Sequence, residues 1–373
     1  MSETKKYARF VGTGSCIPQE EMPNKAFSIR EFYDADGKKT NKSAEEIIQK
    51  FREITEIGER RYALKDQVAS DVGTLAARDA FESSGIDPET MDYIIVAHNF
   101  GDVKFENRKS DMVPSLAARI KRNLGIKNPK TVAFDITFGC PGWVQGVIMA
   151  DALIRAGNAG RILVVGSETL SRICDPYDRD SLIYADGAGA VILESIESDV
   201  PVGILSHAVR SDAVDYADML KMAVSYNPHY PDDTLFLKMN GTSLYKYALR
   251  FVPGVVKESM DYAGIDLRQV SKLLIHQANA KMDYAILQRV GELYGMTEIP
   301  KDIMPMTIHK FGNSSVATVP TLLDLLVKGQ LKIVPDLDES DCHVVKEGDI
   351  LVLASVGAGM NINAVVYKIP QKN

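Results

Sequence analysis

Cysteine is scarce in this sequence. It occurs four times, at positions 16, 140, 174 and 342, and no two form a Cys-x-x-Cys pair. That spacing argues against a disulfide scaffold and against a structural zinc site. Long apolar runs are also missing. The longest, such as Ile162 to Val165, are strand-sized, against the roughly 18 apolar residues that a membrane span requires. Positive charge is in deficit: 43 Lys and Arg face 50 Asp and Glu, for a net charge of -7. Nucleic-acid affinity comes mainly from basic side chains neutralising phosphates, so this balance argues against such a partner. The opening stretch MSETKKYARF has no apolar core of the secretory kind. The expectation is a cytoplasmic chain in a reducing compartment, with neither membrane nor nucleic acid as partner.

What is present is a globular composition, 45% hydrophobic and 25% charged, of a size that suits two domains or one double-sized unit. The chain echoes itself. GIDPETMDYIIVAHN from Gly85 aligns without a gap with GIDLRQVSKLLIHQA from Gly264. FGCPGWVQGVIMADALIRAG from Phe138 aligns with FGNSSVATVPTLLDLLVKG from Phe311, matching Cys140 to Asn313, Asp151 to Asp324 and Arg155 to Lys328. Apolar strands follow both, ILVVGS from Ile162 and ILVLAS from Ile350. The echoes keep their order, so the repeat unit is a half-chain. Strand and helix alternate in each half, which predicts an α/β fold with mostly parallel sheets. The two pseudo-symmetric halves are expected at 1–198 and 199–373.

Cys140 stands out among the cysteines. A lone Cys is usually a small buried hydrophobe, and Cys16, Cys174 and Cys342 are read so. Cys140 follows Thr131 to Phe138, which reads as a buried strand, and precedes Pro141. Proline favours the first helical position, which puts Cys140 at the N-cap of a helix burying Trp143, Val147, Ala150 and Ile154 on one face. A helix N-terminus lowers a thiol's pKa and favours the nucleophilic thiolate.

Two candidate partners lie in the second half. His276 ends the strand KLLI, where ligands gather in parallel α/β sheets. Asn313 follows the same Phe-Gly turn as Cys140 and would meet it near a pseudo-twofold axis; alone, it reads equally as a helix cap. The small-residue loop Gly357-Ala358-Gly359-Met360 is either a tight turn or, with the Cys140 amide, an oxyanion hole. Ala185 to Ala190 reads ADGAGA. It lacks dinucleotide-binding spacing and is read as close backbone packing beneath the site. The remaining histidines, at 98, 207, 229, 309 and 343, are read as structural.

In these motifs the sequence resembles the ketoacyl-acyl-carrier-protein synthase III family of the thiolase superfamily. The likeness takes in Val11-Gly12-Thr13-Gly14-Ser15, Glu59-Arg60, Gly139-Cys140, Cys174 to Arg179, Asp186 to Ala190, His276-Gln277-Ala278-Asn279 and Gly312-Asn313-Ser314-Ser315. The resemblance implies a thiolase-like, five-layer αβαβα fold, a homodimer and a two-stage reaction. An acyl thioester loads Cys140, and a malonyl thioester then decarboxylates and condenses with the acyl group. The implied partners are acyl-coenzyme A, a malonyl thioester and acyl carrier protein, with no cofactor and no metal. His276 and Asn313 would stabilise the enolate, and the amides of Cys140 and Ala358 the oxyanion. Arg179, Lys246, Asn279, Lys281 and Val356 match substrate-binding places.

Thiolases use a second Cys in the loop matching Ser355 to Asn363, which has none here; that favours a decarboxylating synthase. Relatives priming from coenzyme A often carry a Trp with an Arg soon after, where Lys50 and Ile54 stand in this chain. Tyr33 to Glu45 and part of Asn99 to Pro114 read as insertions. Competing readings are a specialised polyketide or lipid condensing enzyme, an acyltransferase using the same Cys without a malonyl extender, and a non-catalytic partner subunit. Papain-like proteases share the order Cys, His, Asn, but the duplicated halves argue against them.

Overall fold

The computed structural model describes residues 5–333 and 341–371. The first half contributes β1 (Lys5–Cys16), α1 (Ala44–Thr55), α2 (Ala69–Ser84), β2 (Tyr93–His98), α3 (Leu116–Leu124), β3 (Val132–Thr137), α4 (Gly142–Arg155), β4 (Arg161–Thr169) and β5 (Asp186–Ser198). The second contributes β6 (Gly203–Ser211), β7 (Leu220–Ala223), β8 (Phe236–Met239), α5 (Gly241–Ala263), β9 (Val270–Ile275), α6 (Ala280–Glu292), α7 (Thr318–Val327), β10 (Ile350–Gly357) and β11 (Asn361–Lys368).

The first echo is a helix stop feeding a strand. Gly85 ends α2 with φ 67° and Gly264 ends α5 with φ 68°, left-handed values that glycine adopts without a Cβ penalty. Asp87 then accepts from the Glu89 amide at 3.0 Å and Asp266 from the Arg268 amide at 2.9 Å, turning the chain into β2 and β9. The second echo preserves ion pairs one helical turn apart: Asp151–Arg155 at 2.7 Å on α4 and Asp324–Lys328 at 2.8 Å at the end of α7.

The strands form one sheet of order β1-β5-β4-β2-β3 and one of order β6-β11-β10-β9. α2 and α3 cover the outer face of the first sheet, α5 and α6 that of the second, and α4 and α7 pack between the sheets. This is the five-layer αβαβα arrangement. Trp143, Val147, Ala150 and Ile154 are all fully buried in the middle layer, as the spacing predicts.

Two expectations need correction. The sheets are mixed and not mostly parallel: β4 pairs antiparallel with β5, β1 with β5, β10 with β11 and β6 with β11. β10 and β11 are joined by too few residues for a crossover, which takes a dozen or more. The strand before Cys140 is not buried on all sides. β3 is the sheet's edge, with Val132 and Thr137 exposed and the residues between half-buried. Among the described residues, no helix is long and apolar enough to cross a membrane.

Candidate active site

Cys140 stands on a tight turn between β3 and α4. Gly139 has φ +69°, and the Gly142 amide donates to the Gly139 carbonyl at 3.0 Å. The helix cap is Pro141 and not Cys140. The Pro141 carbonyl accepts from the Gln145 amide at 2.9 Å and from Asn363 Nδ2 at 3.0 Å. The Gly139–Gly142 turn takes up Pro141, at φ -70° and ψ -2°, so the chain enters the helix one residue later than expected.

The turn is pressed against the second half. A Cβ on Gly139 would lie 2.7 Å from the Ala358 nitrogen, and a Cβ on Gly357 would lie 2.6 Å from the Cys140 nitrogen. Only glycine at both positions lets these backbones approach. The ADGAGA segment packs as expected: a Cβ on Gly189 would lie 2.6 Å from Pro320 Cβ. Asp186, in the same run, is satisfied by Ala63 and Ser171.

His276 is fixed by its amide, which donates to the Ala354 carbonyl at 2.9 Å. Its neighbour Gln277 is a staple, donating to Pro305 and accepting from Thr307 and Ile308. This ties the end of β9 to the segment leading to Asn313. The His276 ring is 2% exposed, its Nδ1 has no partner, and burial pushes its pKa down to about 4. The imidazole is therefore neutral at physiological pH.

Asn313 exchanges backbone hydrogen bonds with Ile183 and Ala185 at 3.0 and 2.8 Å. Its Oδ1 accepts from the Ser315 amide at 2.8 Å, a turn-capping bond of the kind an Asn is suited to. Because Oδ1 is engaged, the Nδ2 end is left to serve as donor.

Cys140, His276 and Asn313 line one cavity of about 240 Å³, together with Val356, Gly357 and Ala358. The remaining wall is largely apolar, with Leu170, Leu237, Met239, Leu244 and Met282. Expectation and structure part on the thiol. The surroundings push Cys140 up to about 11, chiefly through burial, and the nearby Glu168 adds to the rise. At about 11 the resting group at neutral pH is a thiol.

The other candidates distribute unevenly. Val356 is buried and lines the cavity. Asn279 does not: its side chain caps α6 by accepting from the Met282 amide at 3.2 Å, so its carboxamide oxygen is occupied. Arg179 is exposed, 3.8 Å from Asp180. Lys246 on α5 and Lys281 at the start of α6 are exposed and outside the cavity lining. Among the lining residues given no role in the sequence are Ser315, quoted only within its motif, whose Oγ is 3.2 Å from Cys140 Sγ, and Asn99. Glu168 was missed as well. Its signal was a carboxylate ending the apolar strand ILVVGSE; Asn99 offered none. Among the described residues, no group of His, Cys, Asp and Glu is placed to hold a metal ion.

Comparison with known proteins matches residues 134–213 to the 3-oxoacyl-[acyl-carrier-protein] synthase III model and residues 260–369 to the C-terminal model of the same enzyme. The 3-oxoacyl-[acyl-carrier-protein] synthase III of Aquifex aeolicus is 27% identical, with 97% of this chain and 99% of that one covered at a TM-score of 0.75. The Thermus thermophilus synthase III is 27% identical, with 96% and 98% covered, also at 0.75. The priming β-ketosynthase of the R1128 polyketide pathway, 24% identical with 100% and 99% covered at 0.76, shares the fold. With both family models falling on the two halves that meet at Cys140, His276 and Asn313, the chain belongs to the 3-oxoacyl-[acyl-carrier-protein] synthase III family of acyl-transferring condensing enzymes.

Proposed function

We propose that this chain catalyses a decarboxylating Claisen condensation between an acyl thioester and a malonyl thioester, through an acyl-Cys140 intermediate. The observation that carries the reading is the single cavity lined by Cys140, His276, Asn313 and the Gly357–Ala358 backbone.

In the first stage the Cys140 sulfur forms a bond to the donor's carbonyl carbon. The donor's carbon–sulfur bond breaks, and the Cys140 proton departs with the leaving thiol. A thiol near 11 facing an imidazole near 4 makes a standing thiolate–imidazolium pair unfavourable, so the proton leaves as the new bond forms. The Cys140 and Ala358 amides hold the developing oxyanion; one such donor is typically worth about 2.7–4 kcal/mol. In the second stage the malonyl carboxylate is lost as CO₂, and its electron pair becomes an enolate at the α-carbon. The neutral His276 imidazole and Asn313 Nδ2 donate to the thioester oxygen bearing that charge. The α-carbon then bonds to the acyl carbonyl, the acyl–sulfur bond breaks, and Cys140 takes up one proton. Thioester cleavage and loss of CO₂ supply the driving force, so the reading requires no redox or metal cofactor.

The apolar wall supports an aliphatic acyl group, delivered by coenzyme A or a carrier protein, in fatty-acid or related lipid synthesis. A cytoplasmic homodimer belongs to the same reading, supported by the unpaired outer edge of β3. The test is release of labelled CO₂ from a malonyl thioester in the presence of an acyl donor. Release that depends on the donor and on Cys140 is expected. Acylation of Cys140 without CO₂ release from any malonyl thioester would replace this reading with transfer lacking a malonyl extender.

A further inference from the structure

Beside the three proposed catalytic groups, one hydroxyl touches the sulfur. Ser315 Oγ lies 3.2 Å from Cys140 Sγ, and the residue is 3% exposed. Its φ is +54°, a left-handed conformation that side chains bearing a Cβ adopt only when their surroundings impose it. The imposing contact is Asn313 Oδ1, which accepts the Ser315 amide at 2.8 Å. The strained turn aims the hydroxyl at the nucleophile.

The direction of that hydrogen bond is set further back. Asn99 donates to Glu168 Oε2 through its backbone amide at 3.1 Å and through Nδ2. Glu168 is 1% exposed at the end of β4. The backbone amide also reaches Oε1, at 3.4 Å, and the acceptor oxygens of the carboxylate orient the side-chain amide with its NH₂ end toward Glu168. The second hydrogen of that NH₂ reaches Ser315 Oγ at 3.2 Å. Ser315 thus receives a hydrogen from Asn99 and has its own left to give to sulfur.

We propose that Ser315 is a positioning residue for Cys140, its hydroxyl held as a donor to the sulfur by Asn99 and Glu168. The role is separate from those of His276 and Asn313. It stabilises the thiolate as it forms and keeps the sulfur at one place in the cavity. It matters because little beside the sulfur itself favours its negative form: the titratable groups acting on Cys140 are Glu168 and Tyr184, while His276 and the exposed Lys221 share the cavity lining. Glu168 in turn faces His98 and Asp186. Burial and the Glu168 charge raise the thiol's pKa, and the Ser315 hydrogen bond is the largest influence in the opposite direction.

The inference rests on Cys140 being the nucleophile, but its test needs no substrate. The rate of iodoacetamide alkylation is followed at the Cys140 peptide by mass spectrometry from pH 6.5 to 10. A hydrogen bond to a charged group is worth roughly tenfold or more in the equilibrium it favours. Ser315→Ala should therefore alkylate about ten times more slowly, with its profile displaced upward by about one pH unit. Asn99→Asp exchanges the donor for an acceptor, draws the Ser315 hydrogen away from sulfur and should also slow alkylation. It also decides the matter if Ser315→Ala does not fold. A parent-like profile in either Ser315→Ala or Asn99→Asp overturns the proposal. Because the protein is at rest, a normal profile would leave the condensation reading standing, and failure to condense would leave the profile interpretable.

Discussion

Gly357→Ala separates the oxyanion geometry from the thiol itself. Gly357 ends β10 and is buried against the Cys140 turn. A methyl there would lie 2.6 Å from the Cys140 nitrogen, 2.8 Å from Cys140 Cβ and 2.8 Å from Pro141 Cδ, against about 3.4 Å for ordinary contact. None of these is the loose end of a flexible side chain, and Pro141 is fastened by Asn363 at 3.0 Å. The Cys140 amide must therefore retreat by about 0.8 Å. Overpacking of this kind costs about 1–3 kcal/mol, small enough for a domain with about 5–15 kcal/mol of stability to remain folded. The functional cost is larger. A misplacement near 1 Å removes about a hundredfold in rate, and loss of one oxyanion donor about a hundred- to a thousandfold. Single-turnover acylation, followed by intact mass with thermal unfolding and iodoacetamide alkylation as controls, should fall at least about a hundredfold while the thiol stays alkylatable. Acylation at the parent rate by a folded Gly357→Ala protein would show that the Cys140 amide and the 357–358 loop do not hold the oxyanion.

Three further outcomes are expected. Lys238 is buried between Asp175 and Asp178, and Lys238→Met leaves both carboxylates without their cation, so chemical denaturation should register a loss of about 3–5 kcal/mol; a loss below about 1 kcal/mol would contradict this. Burial raises the Glu168 pKa from 4.5 to about 7, so its protonated state contributes stability that is complete below 4.5 and is lost as pH rises through 7. Glu168→Gln should gain about 3 kcal/mol on the parent between pH 4 and pH 8, and a pH-independent difference in unfolding would refute the buried ionisation. Leu237 lines the acyl wall, so Leu237→Trp should shift donor preference toward short acyl chains by about tenfold or more; unchanged relative acylation rates across a donor series would place the acyl chain elsewhere.

Much of the scaffold was written in local pattern. The Gly85 and Gly264 stops, the Asp87 and Asp266 turns and the paired ion bridges on α4 and α7 are short-range features that two halves of one sequence display side by side. The Phe-Gly turn carried the deeper correspondence, since Gly139 and Gly312 both adopt positive φ, 69° and 65°. The likeness is imperfect where function enters. Only Pro141 lies between Cys140 and the start of α4, whereas a 3-10 turn over Ser315–Ala317 separates Asn313 from α7. Strand direction was misread because continuous apolar strands look alike in parallel and antiparallel neighbours. The Asn99–Glu168–Ser315 chain was illegible for a different reason. Asn99 and Glu168 meet at the ends of two paired strands of the first sheet, and Ser315 reaches them from the other half of the chain. The rise in the thiol's pKa was illegible because a helix end is visible in sequence and the depth of burial is not.

The central claim is that a cysteine of the first half carries an acyl group at a centre completed by an imidazole and an amide of the second. Its most direct measurement is peptide mass mapping after incubation with a panel of coenzyme A and carrier-protein acyl thioesters, followed by a chase with malonyl thioester. The account predicts an acyl adduct on Cys140 that the chase discharges in the parent protein and leaves in place in Asn313→Ala. A panel in which no donor labels Cys140, or an Asn313→Ala adduct discharged at the parent rate, would contradict it.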